Sequence, residues 1–224
     1  MKRYLLPLLL AATPVAAEPA CPPRGAPMVR VVVSDPEPRV LSALSSTELR
    51  AAVGEDATDG HLHHLGITVS RVEWRSEITV RSQGVVGGPV CALPAELQIT
   101  LLHAEHSIRL ARELPRGGCL SREVMAHERR HVAVNRRTLR DAATALRGVA
   151  QRWAARAEAR APDVAAAAAA LQDELEAAVE PVLARLRAAR EAGHAAIDTP
   201  EEYRRLGSVC APDQRRLRAV MGTP

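Results

Sequence analysis

From Ser121 onward the apolar residues of this chain change their spacing, from alternation at every second position to a recurrence of about 3.6 residues. Val124, Ala126, His127, His131, Val134, Leu139, Ala142 and Leu146 follow the helical period, and Ser121 stands where an N-cap is expected. The segment reads as one long helix that runs past Trp153 to about Ala159 and breaks at Pro162-Asp163. Inside it, residues 127 to 131 read His-Glu-Arg-Arg-His. On a helix, His127 and His131 share a face with Cβ atoms about 5–6 Å apart. Two imidazoles so placed suit one Zn²⁺, each through a bond of about 2.0–2.1 Å. Glu128 projects about 100° further round. That is too far for a third ligand, but it leaves the carboxylate within reach of a metal-bound water as general base. Histidine makes up only 8 of 224 residues, so chance rarely produces this pattern. The competing reading is two solvated histidines on an arginine-rich helix.

A catalytic zinc takes three protein ligands and keeps one open position. The metzincin extension of the motif needs glycine at position 134 and histidine at position 137. The chain has Val134 and Arg137, which excludes that class. A second long helix, 164 to 196, opens on an alanine run and contains Pro181, where a kink is expected. If the two helices are antiparallel about a turn near 162, His131 faces about position 193 and His127 about position 197. His194 and Asp198 stand at those levels. We take His194 as the third ligand and Asp198 as the acceptor that orients a ligand imidazole. The alternative, with Asp198 as ligand and His194 as a bystander, stays open. Thr199-Pro200-Glu201-Glu202 reads as a capping box that starts a third helix, and this accounts for Glu202 without a metal. Asn135 continues the stripe of the two motif histidines.

The N-terminal half is β-rich. Met28 to Val33 is a short strand, and Ser46-Thr47-Glu48 caps a brief helix to about Val53. Gly66 to Val80 alternates with period two, and residues 84 to 90 form a loop. Glu96 to Leu102 and Ser107 to Ala111 read as a hairpin turning at Ala104-Glu105, with His103 and His106 exposed beside the turn. His61, His63 and His64 lie in a glycine- and aspartate-rich loop and read as solvated.

Residues 1 to 17 have the form of a signal peptide. Lys2 and Arg3 form a basic start, Tyr4 to Ala12 is an apolar stretch too short to span a bilayer, and Val15-Ala16-Ala17 is a cleavage site. The expected product is exported, to the periplasm or beyond, with no membrane span. Four cysteines in such a chain suggest two disulfides. From their positions we expect Cys91–Cys119 and Cys21–Cys210. The net charge is only +4, and aromatic residues make up 2% of the chain, so a nucleic-acid partner is excluded. Oligomeric state leaves no trace in the sequence.

With its leader, the β section ending at Glu113 to Cys119, the Val124 to Asn135 stretch and the tail from Ile197 to Tyr203, the chain resembles a bacterial family of predicted secreted zinc-dependent proteases. The resemblance covers about residues 28 to 210 and rests mainly on the H-E-x-x-H motif. It implies a zincin-like α+β domain. The N-terminal antiparallel sheet (28–118) would pack on the motif helix and its antiparallel partner (121–208), after a proline-rich lead-in (18–27) and before a C-terminal tail (211–224). It implies hydrolysis of a peptide or protein substrate, laid along the edge of the 96–111 hairpin. The alternative is a zincin-like scaffold that binds a partner without turnover.

Overall fold

Two long strands and two long helices carry the fold. The computed structural model describes residues 20–53, 65–84 and 88–221. The expected leader, the loop histidines His61, His63 and His64 and the last three residues lie outside the described residues. The elements run β1 (Met28–Ser34), β2 (Arg39–Leu41), α1 (Ser46–Val53), β3 (Gly66–Gly84), β4 (Val90–Leu110), α2 (Cys119–Ala154), β5 (Ala159–Ala161), α3 (Val164–Ala195), α4 (Pro200–Ser208) and α5 (Ala211–Met221).

β4 is the central strand. β3 pairs with it antiparallel along one side. Along the other side lie β5, antiparallel to Val90–Ala92, then β1 and β2, both parallel to β4. The sheet is therefore mixed, and the antiparallel expectation is corrected. Alternation of apolar residues tells which face a side chain takes, not which way the neighbouring strand runs. β1 and β2 are one line along β4, interrupted where Pro36 and Pro38 cannot donate to a ladder.

The expected hairpin at Ala104-Glu105 does not form. Residues 90 to 110 are one strand, and Ala104 is the extra residue of a bulge: Glu105 pairs with Arg71 and His103 with Val72. The sequence there has no glycine, asparagine or proline to make a tight turn. The bulge shifts the alternation, so the buried set passes from Ile99, Leu101 and His103 to His106 and Ile108. His103 and His106 are buried, not exposed.

α2 and α3 lie antiparallel on this face. Leu139, Ala142, Leu146, Ala150 and Trp153 of α2 meet Ala167, Leu171, Leu175, Val179, Val182 and Leu186 of α3 above Leu97, Ile99 and Leu101. Each fully buried leucine of this set contributes about 1.5–3 kcal/mol. α3 is continuous through Pro181. α2 stops at Ala154 rather than Ala159, because residues 159 to 161 pair with β4. A smaller cluster of Leu49, Ile67, Leu114, Leu120, Val124 and Leu217 closes the start of α2.

That start is capped from a distance. Ser121 is not the N-cap: its hydroxyl donates to the carbonyl of Gly118. The Leu120 N–H donates instead to Asp213 Oδ2 at 3.0 Å. This places a carboxylate at the positive end of the helix dipole. Residues 211 to 221, expected as a tail, thus form α5 and join the domain.

The disulfides join Cys21 to Cys91 and Cys119 to Cys210, which corrects the expected pairs Cys91–Cys119 and Cys21–Cys210. Cys91 opens β4 and Cys119 lies beyond its far end. A 21-residue strand rising about 3.2–3.4 Å per residue keeps them far apart. Peptide mapping without reduction should recover the two observed pairs. Replacing Cys119 and Cys210 by serine should lower unfolding stability by about 2–5 kcal/mol in denaturant titration.

Candidate metal centre

His127, Glu128, His131 and Asn135 extend the core-facing stripe of α2 beyond its apolar part, so the fold buries all four. The antiparallel packing of α3 brings the chain around residues 194 to 198 to the same level. Gly193 makes this approach close, since a Cβ there would stand 2.6 Å from Val134 Cγ1. His194 lies opposite His131, as the stagger of the two helices predicts. α3 ends at Ala195, and the next residues turn Asp198 back towards α2.

Three donor atoms converge. His127 Nε2 and His131 Nε2 are 3.1 Å apart, and each is 3.1 Å from Asp198 Oδ1. The donors of a tetrahedral zinc with bonds of about 2.0–2.1 Å are separated by about 3.3 Å. The triangle therefore fits such an ion, and the mix of two imidazoles and a carboxylate suits zinc. Burial raises the Asp198 carboxyl, but hydrogen bonds from His127 and His131 more than offset this and hold it well below the usual range. Burial lowers His127, and Asp198, Glu128 and Glu202 together outweigh it, so the ring is raised.

His194 is not in the triangle. Its Nδ1 lies 2.8 Å from His131 Nδ1, on the far side of that ring, and its Nε2 lies 3.0 Å from Asn135 Oδ1. Burial, then the neighbouring His131 and Arg190, lower His194 and keep it neutral. If His131 binds through Nε2, its Nδ1 carries the proton and donates to His194 Nδ1. His194 then holds its own proton on Nε2 and donates to Asn135. Arg190 Nε donates to the same Asn135 oxygen at 3.1 Å, which fixes the amide. The expected roles of His194 and Asp198 are thus exchanged: Asp198 meets both Nε2 atoms and His194 meets the outer nitrogen of a ring. Asn135 of this set lay within sequence reach, for it falls on the motif stripe.

Glu202 and Arg130 together approach the outer nitrogen of His127. Thr199 caps α4 and accepts from the Glu202 N–H as expected. The Glu202 carboxylate does not complete the capping box. It turns to His127 Nδ1 at 3.3 Å and is held by Arg130 and Arg205. The Arg205 hydrogen bond lowers its pKa to about 2. Spacing alone explained Glu202 as a cap, and only the tertiary fold exposes the second use. The Tyr203 ring lies 6.1 Å from the His127 ring, centroid to centroid.

Glu128 sits beside the triangle, 3% exposed. Thr68 Oγ1 of β3 donates to its Oε2 at 2.8 Å. Burial raises the Glu128 carboxyl, with Thr68, His131 and His127 pulling the other way. Gly66 makes room for it, because a Cβ there would stand 2.7 Å from Glu128 Oε1.

Comparison with family models, curated proteins and solved structures finds no match to this chain. Among the described residues no helix is long and apolar enough to cross a membrane.

The geometry separates two variants. Asp198→Ala should abolish stoichiometric zinc binding in a chelator-competition titration. His194→Ala should keep one zinc at the triad and lower its affinity by about 10–100-fold. The opposite order would restore His194 as the ligand.

Proposed function

We propose that the chain is an exported zinc metallopeptidase, with His127, His131 and Asp198 holding the metal and Glu128 as general base. The observation that carries this reading is the triangle of three donors, each 3.1 Å from the other two, beside a buried carboxylate whose proton affinity is raised. A site that only braced the fold would need no such carboxylate. The resemblance to secreted zinc-dependent proteases supports the same reading, and the two disulfides suit an oxidising compartment.

When bound, zinc lowers the pKa of a coordinated water towards about 7 and acts as a Lewis acid towards a carbonyl oxygen. The remaining work falls to side chains. Asp198 and the two Nε2 atoms leave one side of the triangle to water and substrate. His194 holds the His131 ring in the Nδ1–H tautomer, and Glu202 and Arg130 hold the His127 ring in place. Thr68 fixes the Glu128 carboxylate through Oε2, leaving Oε1 to take the proton of the attacking water. The same carboxyl then delivers that proton to the departing amine.

The substrate would lie along β3, not along the 96–111 segment expected from the sequence. β4 is paired on both sides, whereas β3 among the described residues pairs only with β4. Thr68 ties the first residues of β3 to Glu128. An extended peptide adding to that free edge would pass beside the carboxylate.

Glu128→Gln should keep its zinc and lose about 10²–10⁴-fold of the hydrolysis of an extended-peptide library. Equal activity in the variant would overturn the mechanism. A zinc-loaded wild type that cleaves nothing would favour the non-catalytic scaffold.

A further inference from the structure

A second group of metal-binding side chains lies where β1 leaves the sheet. Asp35 follows β1, and His103 and His106 stand on β4 on either side of the bulge at Ala104. One ligand atom from each of the three falls within 4.8 Å of the others. His103 Nδ1 is 3.0 Å from Asp35 Oδ1, and His106 Nδ1 is 3.9 Å from the same oxygen. The two rings lie 4.3 Å apart. In a regular strand two residues three apart take opposite faces. The bulge is what puts both imidazoles on one side.

The histidines are 5% and 6% exposed. His103 Nε2 and both ring nitrogens of His106 are buried without a hydrogen-bond partner. A buried imidazole almost always finds one. His106 has a carboxylate at 3.9 Å and a second imidazole beside it, yet no bond to either.

We propose that Asp35, His103 and His106 form a second divalent-metal site, separate from the H-E-x-x-H centre, that takes zinc or an ion of similar preference. Two imidazoles and one carboxylate are ligands of that class. The ion would clip the β1–β2 connection to the central strand. Arg136 of α2 already steadies that connection, lying 3.4 Å from Asp35 and donating to Glu37. Its charge opposes a cation, and the carboxylates of Asp35 and Glu37 balance it. No residue is shared with the first centre, so the second site is structural and takes no part in the proposed hydrolysis.

The test is zinc content after metal-free full-length protein, disulfides intact, is dialysed against excess zinc. Wild type should hold two ions per chain. A variant carrying His127→Ala and His131→Ala should retain one, and so should a variant carrying His103→Gln and His106→Gln. One ion in wild type that disappears only with the His127 and His131 substitutions would overturn the second site and leave the proposed function standing. One ion that disappears only with the His103 and His106 substitutions would do the reverse. Asp35→Asn, on a partly exposed connection, guards against a failure to fold. It should weaken one of the two zinc ions by at least about 10-fold, and two unchanged affinities would overturn the proposal.

Discussion

Burial of His127, Glu128, His131 and Asn135 between β3 and the end of α3 is the constraint from which the rest of the site follows. α2 is long enough to serve two purposes. Its C-terminal half is an apolar stripe that holds α3 against the sheet. Its N-terminal half continues the same stripe with side chains that must be hydrogen-bonded or charged-paired once buried. Many of their partners come from elsewhere in the chain: Thr68 from β3, His194 from α3, Asp198 from the turn after it and Glu202 from α4. The register of α3 on α2 is thus both a packing result and the condition for the donor triangle.

Each motif histidine turns Nε2 inward; His131 Nδ1 faces the neutral imidazole of His194, and His127 Nδ1 has the Arg130 guanidinium at 2.9 Å and the Glu202 carboxylate at 3.3 Å. Glu202 is anchored in turn by Arg205, and His194 by Asn135. Asp198 is kept ionised and Glu128 is pushed the other way. The two carboxyls are therefore suited to different tasks, one as a ligand and the other as a base.

Much of the helical half was legible in the sequence. The 3.6-residue period and the break at Pro162-Asp163 located α2 and α3, and the antiparallel stagger put residues 194 to 198 at the level of the motif. It put His194 ahead of Asp198 as the ligand, whereas the structure brings Asp198 to both inner nitrogens. That choice depends on whether a side chain reaches the inner or the outer nitrogen of His131, a matter of the turn after Ala195. The strands were harder. Alternation located β1 and β3 but carried no direction, and a single bulge at Ala104 disguised one continuous strand as a hairpin and hid His103 and His106. The cysteine pairing failed for the same reason, because it depends on the length of β4.

The most direct test is anomalous X-ray scattering at the zinc edge from crystals of the zinc-loaded protein. A peak about 2.0–2.2 Å from His127 Nε2, His131 Nε2 and an Asp198 oxygen is the expected result. A peak coordinated by His194 with Asp198 turned away would contradict the ligand assignment. No peak at His127 and His131 would remove the metal centre altogether.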